Sequence, residues 1–284
     1  MTDPTPESPP PTRARTRAQA HAAAAGSRPT TLPIPEMPIQ PLVTLGVVAF
    51  ASLLTIAGFA GPPMVALTIL FAAGIIAWGW PGLLGLPSPR GTALVIAVGA
   101  AGAIGTTLAT TTDPYLAWMP AALAGSMFVA FVHQLARRDG RPRLVESIAS
   151  TITAIAIVVS GSSLVALSRS EHGAWVVAIA AVAMAVSAAT DLAGASRRLS
   201  PWLLPLAMLT GGISAIYVGY RLGAVGWGAA ALLGVMSAGV SHAVRRVLAT
   251  LPAISGARSQ LVSASASVLT GGVVVYVVGR LLIA

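Results

Sequence analysis

The chain reads as an all-α integral membrane protein of about nine transmembrane helices, with its N-terminus in the cytoplasm and its C-terminus outside. Three observations predict this. Of the 284 residues, 55% are hydrophobic and only 9% are charged, whereas soluble domains carry about a quarter charged residues. Nine stretches have the length of about 20 mostly apolar residues that a helix needs to cross a bilayer. The basic residues are concentrated on alternate loops and the N-terminal tail. Mean hydropathy is +0.82.

The first 40 residues stand apart. Pro, Thr, Ala and Arg dominate MTDPTPESPPPTRARTRAQAHAAAAGSRPTTLPIPEMPIQ, and apolar periodicity is absent. Such a segment buries too little surface to offset the entropy of ordering, so residues 1–40 are expected to be a disordered cytoplasmic tail. No basic n-region, apolar h-region and small-residue cleavage site follow one another, so a signal peptide is not expected. Residues 41–284 form the polytopic domain.

The spans fall near 42–60, 64–80, 92–112, 116–136, 144–167, 174–192, 201–220, 226–246 and 261–281. The Gly61-Pro62-Pro63 junction leaves one alternative open, a single broken re-entrant segment in place of the first two spans. With the N-terminus inside, the cytoplasmic segments hold 14 of the 17 Arg, leaving Arg169, Arg221 and Arg280 outside. This is the bias of the positive-inside rule, and a miscount of one span in the middle would scramble it. The net charge of +9 is therefore read as topology and not as nucleic-acid binding. All the basic residues are Arg, and with the heavy Ala and Gly usage this suggests a GC-rich bacterial source and a plasma-membrane location. There is no Cys, which excludes disulfides and thiolate chemistry.

A shift of 109 residues aligns two spans without gaps, WMPAALAGSMFVAFVHQLAR from Trp118 and WGAAALLGVMSAGVSHAVRR from Trp227. Identities include Trp118/Trp227, Gly125/Gly234, Met127/Met236, His133/His242 and Arg137/Arg246. The following spans align as LVESIASTIT and LVSASASVLT. The pattern predicts a parallel repeat of four-helix units, approximately 42–137 and 144–246, with 261–281 as an extra last helix.

Within the repeated span, Trp118, Ala122, Gly125, His133 and Arg137 share one helix face, as do Trp227, Ala231, Gly234, His242 and Arg246. Small residues there are expected to allow close helix approach, and Trp and Arg to anchor the two interfaces. His133 and His242 are candidates for a symmetric proton- or anion-binding pair at a cytoplasm-facing cavity, with Arg137 and Arg246 charging its mouth. The plainer reading is two helix-terminal histidines bonding free carbonyls. The next spans carry matched polar stripes, Glu146, Ser150, Thr153 and Ser263, Ser267, Thr270. Polar side chains are costly in hydrocarbon, so both stripes are expected to face protein or water. Glu146 is also placed to cap its helix, and Asp191 is expected in a surface ion pair or loop turn. Asp113-Pro114 and Arg169-Ser170-Glu171-His172 read as outward turns.

Walker-type loops, HExxH, GxSxG and zinc-ligand spacings are missing from the sequence, so no catalytic residue, metal or cofactor is expected. The expected partners are the lipid bilayer, a small-molecule substrate of unknown identity and a protein docked through residues 1–40, with no nucleic acid. Three functions follow in order of support. The first is a transporter or permease-like protein for an anionic or amphipathic substrate. The second is a membrane scaffold or complex subunit. The third is a membrane enzyme acting on a lipid-linked substrate through Glu146 and His133.

Overall fold

Proline stands in the first turn of the first four helices of the computed structural model, which describes residues 40–195, 199–223 and 225–283. These are α1 (Pro41–Ala60), α2 (Pro62–Leu83), α3 (Pro89–Ala109) and α4 (Met119–Ala136). Proline at the first turn costs no hydrogen bond, because that N–H has no partner within the helix. Next come α5 (Leu144–Leu167), α6 (Gly173–Ala189), α7 (Leu203–Leu222), α8 (Trp227–Ala249), α9 (Ala257–Thr270) and α10 (Gly272–Leu282). The last two make one span, Ala257–Leu282, and nine helices of the described residues are long and apolar enough to cross a membrane. The protein is an all-α multi-pass membrane protein.

The first two spans are separate helices. Gly61 alone joins them at φ +109°, a left-handed value that favours glycine. The tail at residues 1–39 and Arg197 and Arg198 lie outside the described residues.

The ninth span is the centre of the bundle. Helix α9 packs against α1, α2, α5 and α8, and α10 against α5 and α8. On one side stand α2 to α5, and on the other α6, α7 and α8, with α1 packed on α6. The approach to α9 is so close that glycine is required opposite it. A methyl group at Gly46 would lie 2.7 Å from Ala264 Cβ, and one at Gly79 would lie 2.2 Å from Val262 Cγ2. Because α9 is enclosed on all sides, its serines face protein whichever way they point. Ser265 and Ser267 donate to Leu261 O and Ala264 O, at 2.9 Å each, so their hydroxyls are satisfied within the helix.

Helices α7 and α8 are packed most tightly. Ala207, Gly211, Ala215 and Gly219 recur every fourth residue on α7, and Ala230, Gly234 and Ala238 do so on α8, all buried. A methyl group at Gly211 would lie 2.3 Å from Ala238 Cβ and 3.0 Å from Gly234 O. This is small-xxx-small packing, in which backbones approach because no side chain separates them. In α4 the buried residues are Ser126, Ala130 and Gln134. The expected packing stripe through Gly125 is therefore corrected, since Gly125 is exposed with nothing within 4 Å of a methyl group built there.

Gly211→Ala is expected to lower stability by about 1–3 kcal/mol through overpacking, whereas Gly125→Ala is expected to be neutral or to gain about 0.5–1 kcal/mol of helix propensity. Thermal melts of the two variants in detergent check the contrast, and equal losses would contradict the assigned faces.

Candidate functional site: an intramembrane ion cluster and a broken central span

The C-terminal part of α8 carries two ionisable residues on its buried face, His242 and Arg245, one turn after the small-residue stripe. Opposite them, a 3₁₀ turn (Thr190–Ala195) continues α6 and presents Asp191. The Asp191 carboxylate bridges the pair. Arg245 Nε donates to Oδ2 at 2.6 Å, and His242 Nδ1 stands 2.8 Å from Oδ1. The second contact has the distance of an ion pair but is off hydrogen-bond direction. Arg245 also donates to Ser241 Oγ at 2.6 Å. The side chains of His242 and Arg245 are 2% and 3% exposed and that of Asp191 is 24% exposed. One Arg245 nitrogen remains buried without a partner.

Asp191 thus stands in a turn and in an ion pair, as expected from its sequence, but the partners it meets are buried and not at the surface. It is the carboxylate that neutralises the buried Arg245 guanidinium, and a buried charge of this kind is stable only when paired. Asp191, Arg245 and Ser241 were not among the sequence candidates. Asp191 and Arg245 are 54 residues apart, so no spacing rule joins them.

The second feature is a one-residue interruption of the central span at Gly271, where the backbone keeps right-handed helical angles (φ −65°, ψ −18°) while the helical hydrogen-bond ladder is disturbed. A methyl group at Gly272 would lie 2.1 Å from Ser160 O, so α5 touches the span where it is discontinuous. Ser160 Oγ donates to Thr270 O at 2.9 Å and accepts the Val273 N–H at 3.0 Å. One hydroxyl therefore satisfies a carbonyl and an amide that the break frees, as the interior of a membrane demands. Ser160 also escaped the sequence reading, being one of several serines in its helix.

The other predicted residues are dispersed. His133 lies against the start of α3, its Nε2 3.4 Å from Ser88 Oγ, and a methyl group at Gly91 would lie 1.9 Å from its Cε1. Helix α4 packs on α3 and α5, while α8 packs on α6, α7, α9 and α10, so His133 and His242 do not meet at a common cavity. Glu146 is exposed and pairs with Arg143, accepting from Nε at 2.7 Å. It caps no amide of α5. Arg143 in turn donates to Gly85 O at 2.7 Å, so the pair ties the α4–α5 loop to the α2–α3 loop.

The stripe Glu146, Ser150, Thr153 departs from expectation. Glu146 and Thr153 are exposed and Ser150 is half-buried, while Ser147 and Thr151 take the inner face. Thr153 satisfies its own hydroxyl by donating to Ala149 O at 2.9 Å, which removes the cost of an outward position. The matching stripe on α9 does face protein. Ser263 and Ser267 are fully buried and Thr270, half-buried, donates to Ala266 O at 2.7 Å. Ser263 Oγ has no partner. Of the two mouth arginines, Arg246 is half-buried, and Arg137 is buried and donates to Gln134 Oε1 at 2.7 Å and to Asp139 Oδ2 at 2.6 Å.

Known proteins supply no precedent. Compared with protein-family models, with curated proteins and with solved structures, the chain matches none. The geometry of these residues is therefore what any functional reading rests on.

Asp191→Asn removes the charge that balances Arg245, and a loss of about 3–5 kcal/mol is expected, the usual cost of breaking a buried pair. Glu146→Gln removes an exposed ion pair, and no measurable shift is expected. Melting curves of both variants in the same detergent provide the comparison. A silent Asp191→Asn would show that the cluster is not holding α6 to α8.

Proposed function

We propose that this protein is a transporter or permease-type protein of the plasma membrane, with proton-linked movement of a small anionic or amphipathic solute. The observation that carries this reading is the interrupted central span, whose backbone stays helical at Gly271 while the Ser160 hydroxyl enters its hydrogen-bond ladder. Broken spans at the core of a bundle are a recurring device of transporters, because they place backbone polar groups and a hinge at membrane depth. Here the break lies at the middle of Ala257–Leu282 and is bridged by a single hydroxyl that both donates and accepts. A bridge of two hydrogen bonds can be exchanged for a solute or for a rearranged backbone at modest cost.

The Asp191–His242–Arg245 cluster supports the coupling part of the proposal. Ionisable residues inside membranes are functional hypotheses by default, and a carboxylate with a histidine is a common proton site. Helix α8 carries two of the three residues and also packs against α9 and α10. Protonation at His242 therefore acts on an element that touches both halves of the broken span. The Arg-rich end of the bundle would concentrate anions at the entrance. Among the described residues Glu146 pairs with Arg143 and His133 meets Ser88, so the geometry lends the enzyme reading no support of its own.

Proteoliposomes loaded with a pH-sensitive dye test the proposal. Under an imposed pH gradient and a supplied mixture of small organic anions, the wild type is expected to collapse the gradient faster than empty vesicles. His242→Gln keeps a donor facing Asp191 but cannot take up a proton, so it is expected to abolish that acceleration while its melting curve stays close to wild type. Wild-type vesicles that relax like empty ones with every anion mixture would overturn the reading.

A further inference from the structure

We infer that the α4–α5 loop holds an anionic phospholipid headgroup, through a cleft that recognises its phosphate. The cleft has a volume of about 270 Å³ and is lined by Arg137, Arg138, Gly140 and Arg141. Helix α4 ends at Ala136 and α5 starts at Leu144, so these residues stand where the apolar spans leave the hydrocarbon. That is the depth of the lipid phosphates.

The cleft is built and is not a chance meeting of surface side chains. Arg137 is its floor, with a side chain 5% exposed. Gln134 fixes the guanidinium from one side and is itself held by Ser147 Oγ at 2.7 Å. Asp139 fixes it from the other side and accepts the Arg141 N–H at 3.1 Å. Arg137 Nε remains buried with no partner. Left-handed backbone at Gly140 (φ +75°) and Arg141 (φ +53°) folds the loop back on itself, and a donation from Arg141 to Leu135 O at 2.9 Å pins it to the end of α4.

The charge balance leaves a net attraction for anions. Asp139 is held below the usual carboxylate range by its hydrogen bond from Arg137, so it stays ionised and offsets Arg137. Arg138 and Arg141 then supply the positive charge. Arg138 is exposed and makes no hydrogen bond among the described residues. Arg141 spends one of its donors on Leu135 O, and a guanidinium has five. Two such forks flanking a buried third suit the tetrahedral oxygens of a phosphate. A lipid is favoured over a free anion because the neighbouring wall is apolar and outward-facing. Phe128, Phe131 and Leu135 of α4 are 69%, 46% and 66% exposed, and acyl chains below the headgroup would lie along them.

Competition native mass spectrometry on the purified full-length protein tests this. The probes are dioctanoyl phosphatidylglycerol and dioctanoyl phosphatidylcholine at equal concentration, with inorganic phosphate added in a separate arm. Wild type is expected to retain phosphatidylglycerol preferentially. Arg138→Gln, which breaks no internal bond, is expected to weaken that retention on the order of five-fold, and Arg138→Gln with Arg141→Gln to erase the preference. Arg221→Gln, at the far end of α7, is expected to leave it unchanged. Unaltered selectivity in Arg138→Gln, or an equal loss in Arg221→Gln, would overturn the site. Displacement of the lipid by phosphate at the same concentration would overturn the lipid assignment in favour of the free anion.

Discussion

The structure depends on how closely four helices can approach α9. In lipid, apolar side chains gain nothing by leaving the solvent for each other, so helix association rests on packing and on interhelical hydrogen bonds. The sequence meets this with a central helix of small residues, ARSQLVSASASVLT, and with glycines on the helices opposite. A helix this polar would be a poor span at the lipid boundary. It is tolerated because every neighbour excludes lipid from it and most of its hydroxyls bond to its own carbonyls. The same closeness brings Ser160 of α5 against the backbone at Gly271 and Gly272, so the break and its repair are both products of tight packing.

Charge is the second constraint, and it is handled differently at the two ends. At the Arg-rich end, Arg137 and Arg245 are drawn inside and each is given a carboxylate, Asp139 and Asp191. At the opposite end, arginines fasten one loop. Arg169 donates to Leu108 O and Thr110 O at the C-terminal end of α3, where it also meets the negative end of the helix dipole. Arg280 pairs with Asp113 in the loop that follows. The arginines that break the topological bias are therefore not idle: two of the three close the α3–α4 loop over the bundle.

The spans were legible in the sequence because hydropathy and loop charge are properties of local segments. The faces of the helices were not. In a soluble helix the apolar stripe marks the core, but in a bilayer both faces are apolar and the stripe disappears. Gly125 was read as a contact and is exposed, while Ser126, one residue on, packs against Gly99. The polar stripe on α5 misled for a related reason. A threonine that bonds its own helix can face outward, so polarity alone does not point inward. Asp191 was visible as a residue but not as a partner, because its meeting with His242 and Arg245 is a tertiary event between α6 and α8.

The sequence similarity of α4 and α8 also takes on a different meaning once their surroundings are known. Both end in a histidine one turn before an arginine, yet α4 packs on two helices at the rim and α8 on four in the interior. His133 lies over the Gly91 backbone and has a serine hydroxyl for company, whereas the buried His242 faces a carboxylate. The same residue at the same helical position is thus a packing group in one place and an ionisable group in the other. What separates them is Asp191, whose carboxylate stands 2.8 Å from the His242 ring, whereas the half-buried His133 has a serine hydroxyl at 3.4 Å. Helix α8 is also the element that joins that charge to the broken span, through contacts with both α9 and α10. A change of charge at its Arg-rich end therefore has a continuous packed route to the two halves of the span that Ser160 bridges.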